Sequence, residues 1–241
     1  MKPLVLLKAL LLDWVRNGSN LLICLLFLAS AVYLGAVGLT FASEGLPGLS
    51  GYFVPGLMAV FVMVNGVVIL SRAAREMEES GLLERMAAAS VSKSGWLLCL
   101  TLVQVITSLV LATLILLVGI IPFGAPLHVS LYWPLLTVIG CVPFSGLGIL
   151  IANLVKTRLS PGKVSIAVAF LMALFSGTLW PTTGSVYLQD LSAVLPLTYL
   201  EDGLRASITT GEASTAAFNV AVVAFLGIAL YGLAWASTKW D

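Results

Sequence analysis

Six stretches of this chain carry no Asp, Glu, Lys or Arg and are almost entirely apolar, at about residues 20–40, 52–70, 96–120, 131–154, 164–181 and 214–236. Roughly 20 such residues cross a bilayer as an α-helix, so the pattern predicts six membrane spans. The third and fourth are separated by a break rather than by charge. No charged residue lies between Lys93 and Lys156, but "IPFGAPLHVS" puts two prolines and a glycine within that run, which ends one helix and lets the chain reverse. The fifth window is the shortest, and "PTTGSVYLQDLSAVLPLTYLEDGLR", of mixed polarity, separates it from the sixth. The first follows an Arg-containing segment and leads to Glu44 and Pro47 instead of a small-residue cleavage site, so it reads as a retained span rather than a signal peptide.

Ahead of the first span, "KPLVLLKALLLDWVR" has a different period. On a helix, Leu4, Leu7, Leu10, Leu11, Trp14 and Val15 gather on one side and Lys2, Lys8, Asp13 and Arg16 on the other. That pattern predicts a helix lying in the membrane interface over residues 1–17, with a simple basic flank as the alternative. Composition agrees with a membrane chain: 60% of the 241 residues are hydrophobic and 10% charged, and mean hydropathy is +1.08. A soluble domain carries about 25% charged residues. Eleven of the 12 Lys and Arg fall on one side of the predicted spans; Arg205 falls on the other, near Asp190, Glu201, Asp202 and Glu212. Basic loops stay cytoplasmic. Both termini are therefore expected in the cytoplasm of a multi-pass cell-membrane protein.

Charge is concentrated in "SRAAREMEESGLLERMAAASVSKS", residues 71–94, which holds eight of the 23 charged side chains. On a short helix Leu82, Leu83 and Met86 form one apolar patch beside the acidic "REMEES". Such a patch docks on the adjoining interface or in another protein, unless the stretch is a solvated loop. Asn65, Gln104 and Asn153 fall in or at the ends of spans, where buried amides either line a pathway or tie helices together. Glu201 and Arg205, at i and i+4, read as an ion pair on a helix surface. Trp133, Trp180, Tyr187 and Tyr199 suit an outer interfacial belt. For metals the chain offers little. His128 is the sole histidine, and Cys24, Cys99 and Cys141 lie far apart within spans, where burial as small apolar groups is favoured over a copper–thiolate site. No catalytic constellation is visible, and nothing points to nucleic acid.

These residues resemble the membrane subunits of ABC-2 type exporters, the permeases of drug, polysaccharide and lipid export. In that family a cytoplasmic segment after the second span runs Glu-x-Gly-Thr-Leu-Glu-x-Leu, then Pro-Val-Ser, and forms the coupling helix that touches the ATPase. The matching residues here are Glu79, Gly81, Leu82, Leu83, Glu84 and Met86, then Ser90, Val91 and Ser92, with Leu82 replacing Thr and Ser90 replacing Pro. The resemblance places a coupling helix at about 76–90. "SGTLWP" at 176–181 and "LPLTYLEDGLR" at 195–205 are similar to the family's Ser-Gly-x-x-x-Pro and Asn-Pro-Leu-Thr-x-x-x-x-x-x-Arg, with Leu195 for the Asn. That match implies an outer helical hairpin re-entering the membrane at about 182–208, marked by Ser176, Gly177, Pro181, Pro196 and Arg205. "YFVPGLMA" at 52–59 is a weaker match.

The resemblance implies an all-α integral membrane permease, one domain over residues 1–241, that exports its substrate with ATP and Mg bound by a separate ABC ATPase partner. The chain agrees by omission, having no G-x-x-x-x-G-K-[ST] loop; Gly162–Lys163 is followed by Val164. Such a permease would pair with a second copy or a related permease, within membrane lipid. The lack of charge in the spans favours a hydrophobic or amphipathic cargo over a small ion. The alternative is a membrane-embedded enzyme or assembly scaffold, and an enzyme would gather acid, base or metal ligands at one membrane depth. A secondary transporter would show intramembrane ionisable residues and inverted repeats.

Overall fold

The computed structural model describes residues 3–43, 49–88, 91–123, 127, 130–155, 161–178 and 186–238. Every regular element among them is helical: α1 (Pro3–Arg16), α2 (Gly18–Ser43), α3 (Leu49–Val64), α4 (Leu70–Glu79), α5 (Leu82–Ala88), α6 (Lys93–Ile120), α7 (Tyr132–Leu154), α8 (Pro161–Phe175), α9 (Val186–Ser192), α10 (Pro196–Arg205) and α11 (Ala213–Ser237). Two π-helical turns, Asn65–Ile69 and Ala206–Thr210, join α3 to α4 and extend α10.

Five helices are long and apolar enough to cross a membrane: Gly18–Gly38, Gly51–Glu79, Lys93–Ile120, Tyr132–Leu154 and Ala213–Ser237. The fifth predicted window departs from expectation. Its helix, α8, has 15 residues, roughly 22 Å at 1.5 Å per residue, against a hydrocarbon core of about 30 Å. The predicted continuation to 181 fails at residues 176–178, which are bends, with Gly177 at φ +86°. Residues 179–181, including Trp180 and Pro181, lie outside the described residues. The second span runs further than predicted, to Glu79, because Arg75 binds Glu78 and Glu79 one turn ahead at 2.9 and 2.8 Å and so keeps the charged continuation helical. Between the third and fourth spans, α6 ends at Ile120 and α7 begins at Tyr132, as the proline-containing break predicts; His128 lies outside the described residues.

At the centre stands α7, in contact with α3, α4, α6, α8, α10 and α11. A large core forms around it from Met58, Phe61, Leu136, Phe144, Leu197 and Leu200, all fully buried. A second cluster, at the end that carries α4 and α5, joins Leu6, Leu10, Met77, Met86, Trp96 and Ile149. By contrast α2 and α11 flank the bundle and leave Leu22, Leu25, Leu26, Phe225 and Ile228 exposed. On soluble proteins such faces would be patches needing cover; on spans they are the surfaces lipid covers. The amphipathic pattern of α1 is redistributed. Its packed stripe centres on Leu6 and Leu10, with Leu7, Leu11 and Trp14 half-buried, while Leu4 and Val15 are exposed because α4 to α6 occupy the other side.

Candidate functional site

The charged end is organised by one interruption. α4 stops at Glu79, the chain turns through Ser80 and Gly81, and α5 begins at Leu82. Gly81 has φ +68° with nothing near the place a Cβ would take, the left-handed conformation that glycine supplies without steric cost. The single helix expected over 76–90 is therefore two, and residues 76–79 belong to the second span; Ala89 and Ser90 lie outside the described residues. The apolar patch of Leu82, Leu83 and Met86 divides. Met86 is 4% exposed and packs into the cluster of Leu6, Leu10 and Trp96, Leu83 is half-buried against the same cluster, and Leu82 is exposed together with Glu84 and Arg85. Met86 anchors α5, while Leu82, Glu84 and Arg85, with Ser80 in the turn before it, stay exposed. Glu79 is exposed and bound by Arg75 on its own helix. A groove of about 560 Å³ runs between α1 and α5, lined by Leu6, Asp13, Glu76, Leu82, Arg85 and Met86.

Midway along the second span, the π-helical turn at Asn65–Ile69 is wholly buried. Its first residue faces α6. Asn65 Nδ2 donates to Thr107 Oγ1 at 2.8 Å, Ser108 Oγ at 2.9 Å and the carbonyl of Gln104 at 3.3 Å, while Gln104 Nε2 donates to the carbonyl of Val62 at 3.3 Å. The structure thus brings two of the three predicted amides together. Asn153 stands apart, donating to Ser237 Oγ at 3.0 Å and Thr238 Oγ1 at 2.9 Å, which ties the end of α7 to the end of α11. Lys93 reinforces that junction, donating to the carbonyl of Thr238 at 2.5 Å with its ammonium 4.7 Å from the centre of the Trp235 ring.

At the opposite end, α9 and α10 are joined by a turn at 193–195 and held by side chains: Thr198 Oγ1 donates to the carbonyls of Ser192 and Ser176 at 2.7 and 3.3 Å, and Tyr199 donates to that of Ala193 at 2.7 Å. Two helices therefore stand where the hairpin was expected, its first part, 182–185, lying outside the described residues. The Glu201–Arg205 pair is not on a surface. Glu201 is 2% exposed and accepts from Arg205, which also lies 4.0 Å over the ring of Tyr52. Tyr52 in turn donates to the carbonyl of Gly177 at 2.5 Å. Burial pushes the Glu201 carboxyl above its ordinary range, opposed by the Thr178 hydroxyl and by Arg205. Arg205 and Gly177 are thus brought together through Tyr52, whose role only its position at the start of a span could have suggested. Cys99 packs in the charged-end cluster and Cys141 in the large core, where it donates to the Thr137 carbonyl at 3.1 Å.

A family model described as ABC-2 type transporter matches residues 4–209, from α1 through the turn that follows α10. No curated protein matches the chain.

Proposed function

The chain belongs to the ABC-2 type transporter family, and we propose that it is the membrane half of an ATP-driven exporter whose nucleotide-binding subunit seats on α5. As a member of that family it is a transport subunit and permease. The observation that supports the docking site is the partial burial of α5: Met86 is locked into the helices of its own chain, while Leu82, Glu84 and Arg85 remain exposed. A helix seated this way transmits force, because pushing its outer side loads α4 and the second span directly. ATP and Mg would be bound by the partner, whose closure moves α5. Two permeases, identical or related, would complete the pathway, with the charged end in the cytoplasm and α9–α10 in the outer leaflet.

A hydrophobic or amphipathic cargo is favoured by the spans, since the polar groups buried inside them are amides and hydroxyls rather than carboxylates. The test is co-purification of the tagged chain from its native membrane with assay of ATP hydrolysis. Leu82→Asp should remove the bound ATPase or its stimulated hydrolysis while insertion and melting stay unchanged, the residue being exposed. A variant that retains full coupled activity would refute docking on α5.

A further inference from the structure

Beside the coupling element the chain encloses a second, smaller site. A cleft of about 90 Å³ opens between the α1–α2 elbow, α4 and α6, with Asp13, Trp14, Arg72, Glu76, Asn65 and Gln104 among its lining residues. Its volume corresponds to roughly three waters at 30 Å³ each, or to an amine on a two-carbon arm. Most of the buried polar atoms around it are satisfied by the protein: Asn65 by the α6 hydroxyls, Asn20 by the carbonyl of Trp14 at 3.2 Å. Two are not. Gln104, 1% exposed, has a side-chain oxygen without a hydrogen-bond partner, and the Trp14 indole N–H has none either. A buried acceptor left so is destabilising, and the deep acceptor calls for a donor.

Charge at the mouth specifies which donor. Two carboxylates, Asp13 and Glu76, face one cation, Arg72, and the Arg72 side chain leans on α8: a Cβ on Gly162 would meet its Nε at 3.0 Å. The cleft is therefore acidic around an indole N–H and an amide oxygen, a combination that suits an ammonium group through carboxylate pairing and an N–H bond to Gln104, with the phosphate next to that ammonium left to accept from the Trp14 indole. Its apolar neighbours locate the rest of the ligand. Leu70, Leu100 and Val103 line the cleft, and the exposed Leu21, Leu22 and Leu25 of α2 continue from the elbow along the lipid-facing surface. We propose that this cleft holds the primary-ammonium head of a membrane amphiphile whose tails lie along α2. The assignment goes beyond the transport reading and stands on its own, because a bound lipid there need not be cargo.

Purified full-length chain in nanodiscs of equal phosphatidylethanolamine, phosphatidylcholine and phosphatidylglycerol would be released and weighed by native mass spectrometry. The ethanolamine lipid should be retained preferentially, since the trimethylated head has no N–H for Gln104 and the glycerol head no positive charge. Glu76→Gln and Asp13→Asn, both at exposed positions, should each lower that retention by about tenfold, the scale of one charge-assisted contact. Equal retention of the three lipids would overturn the proposal, as would a preference unchanged in both variants. So would free ethanolamine displacing the lipid at equal concentration, which would show that the tails contribute nothing. Because no outcome is read from ATP hydrolysis, a failure here leaves the transport reading untouched, and the reverse holds.

Discussion

Adding one methyl group at Gly148 should cost more than the same substitution at any other helical glycine whose surroundings are described. The residue lies on α7 opposite the π-helical turn of the second span, and a Cβ there would fall 2.1 Å from the Gly66 carbonyl oxygen and 3.1 Å from its carbon. Carbon–oxygen contacts between packed backbones sit at about 3.3–3.6 Å, so α7 and the second span would have to separate by roughly 1 Å. The obstacle is backbone and cannot swing aside as a side chain would. A gap of 0.5–1 Å forfeits about a quarter to a half of each dispersion contact across the seam, and the neighbouring Phe144 is fully buried there. Overpacking of this kind costs typically about 1–3 kcal/mol, and Gly148→Ala belongs at the upper end, about 3 kcal/mol. The control is Gly232→Ala on α11, where nothing lies within 4 Å of the new methyl; it should be neutral or stabilising by about 0.5–1 kcal/mol. Reversible unfolding of both in mixed detergent micelles, titrated with SDS, gives the comparison. If Gly148→Ala unfolds within about 0.5 kcal/mol of Gly232→Ala, the close seam between α7 and the second span does not exist as described.

Two further outcomes follow from the ends of the bundle. Because burial raises the Glu201 carboxyl above its ordinary value of 4.5, the folded chain keeps a proton that the unfolded chain has released between those two values, so stability should fall as pH rises through that window and level off above it; the charged and titratable neighbours are Arg205, Asp202 and Tyr52, and Glu201→Gln should flatten the profile, whereas a stability that climbs with pH above 4.5 in the wild type alone would contradict the burial. Cysteine placed at Ser80, in the turn between α4 and α5, should resist an impermeant thiol reagent added to intact cells, and one placed at Glu212, ahead of α11, should react; the opposite pattern would invert the expected topology.

Much of the fold is legible in the sequence because a span is a property of one segment. Charge-free apolar runs announce α2, α6, α7 and α11 to within a few residues, and prolines mark the break between α6 and α7. What the sequence hides depends on partners. The second span exceeds its apolar window because Arg75 and its two glutamates cost little on a helix emerging from the bundle, and α8 stops early at a bend where Gly177, which the sequence marked only as part of the hairpin match, takes a positive φ. Sequence spacing put Leu82, Leu83 and Met86 on one patch, but only tertiary contact with α1 and α6 decides which of them is left outside. The same holds for Glu201. An i,i+4 pair is visible as a pattern, whereas its burial requires Tyr52 from a span nearly 150 residues earlier.

Both ends of the molecule are joined by that span. Gly51–Glu79 is one helical column of 29 residues, about 43 Å long at 1.5 Å per residue, with Tyr52 stacked under Arg205 at one end and the turn into α5 at the other. On the proposed mechanism a displacement of α5 would enter the column at Glu79 and leave it at Tyr52. An unbroken α-helix would carry the movement as a rod and shift both ends equally. This column contains a π-helical turn at its midpoint, where the Gly66 carbonyl rests against Gly148 of α7 and Asn65 is fixed by the hydroxyls of Thr107 and Ser108 on α6. A segment held from two sides at its middle would pivot there, so on that mechanism a push on α5 would become an opposite swing of Tyr52 and of the α10 helix it holds. The buried amides would then matter for transport without touching cargo: by fixing the π turn they would set the pivot, and loosening them would reduce the stroke at the Tyr52 end while leaving ATP hydrolysis intact.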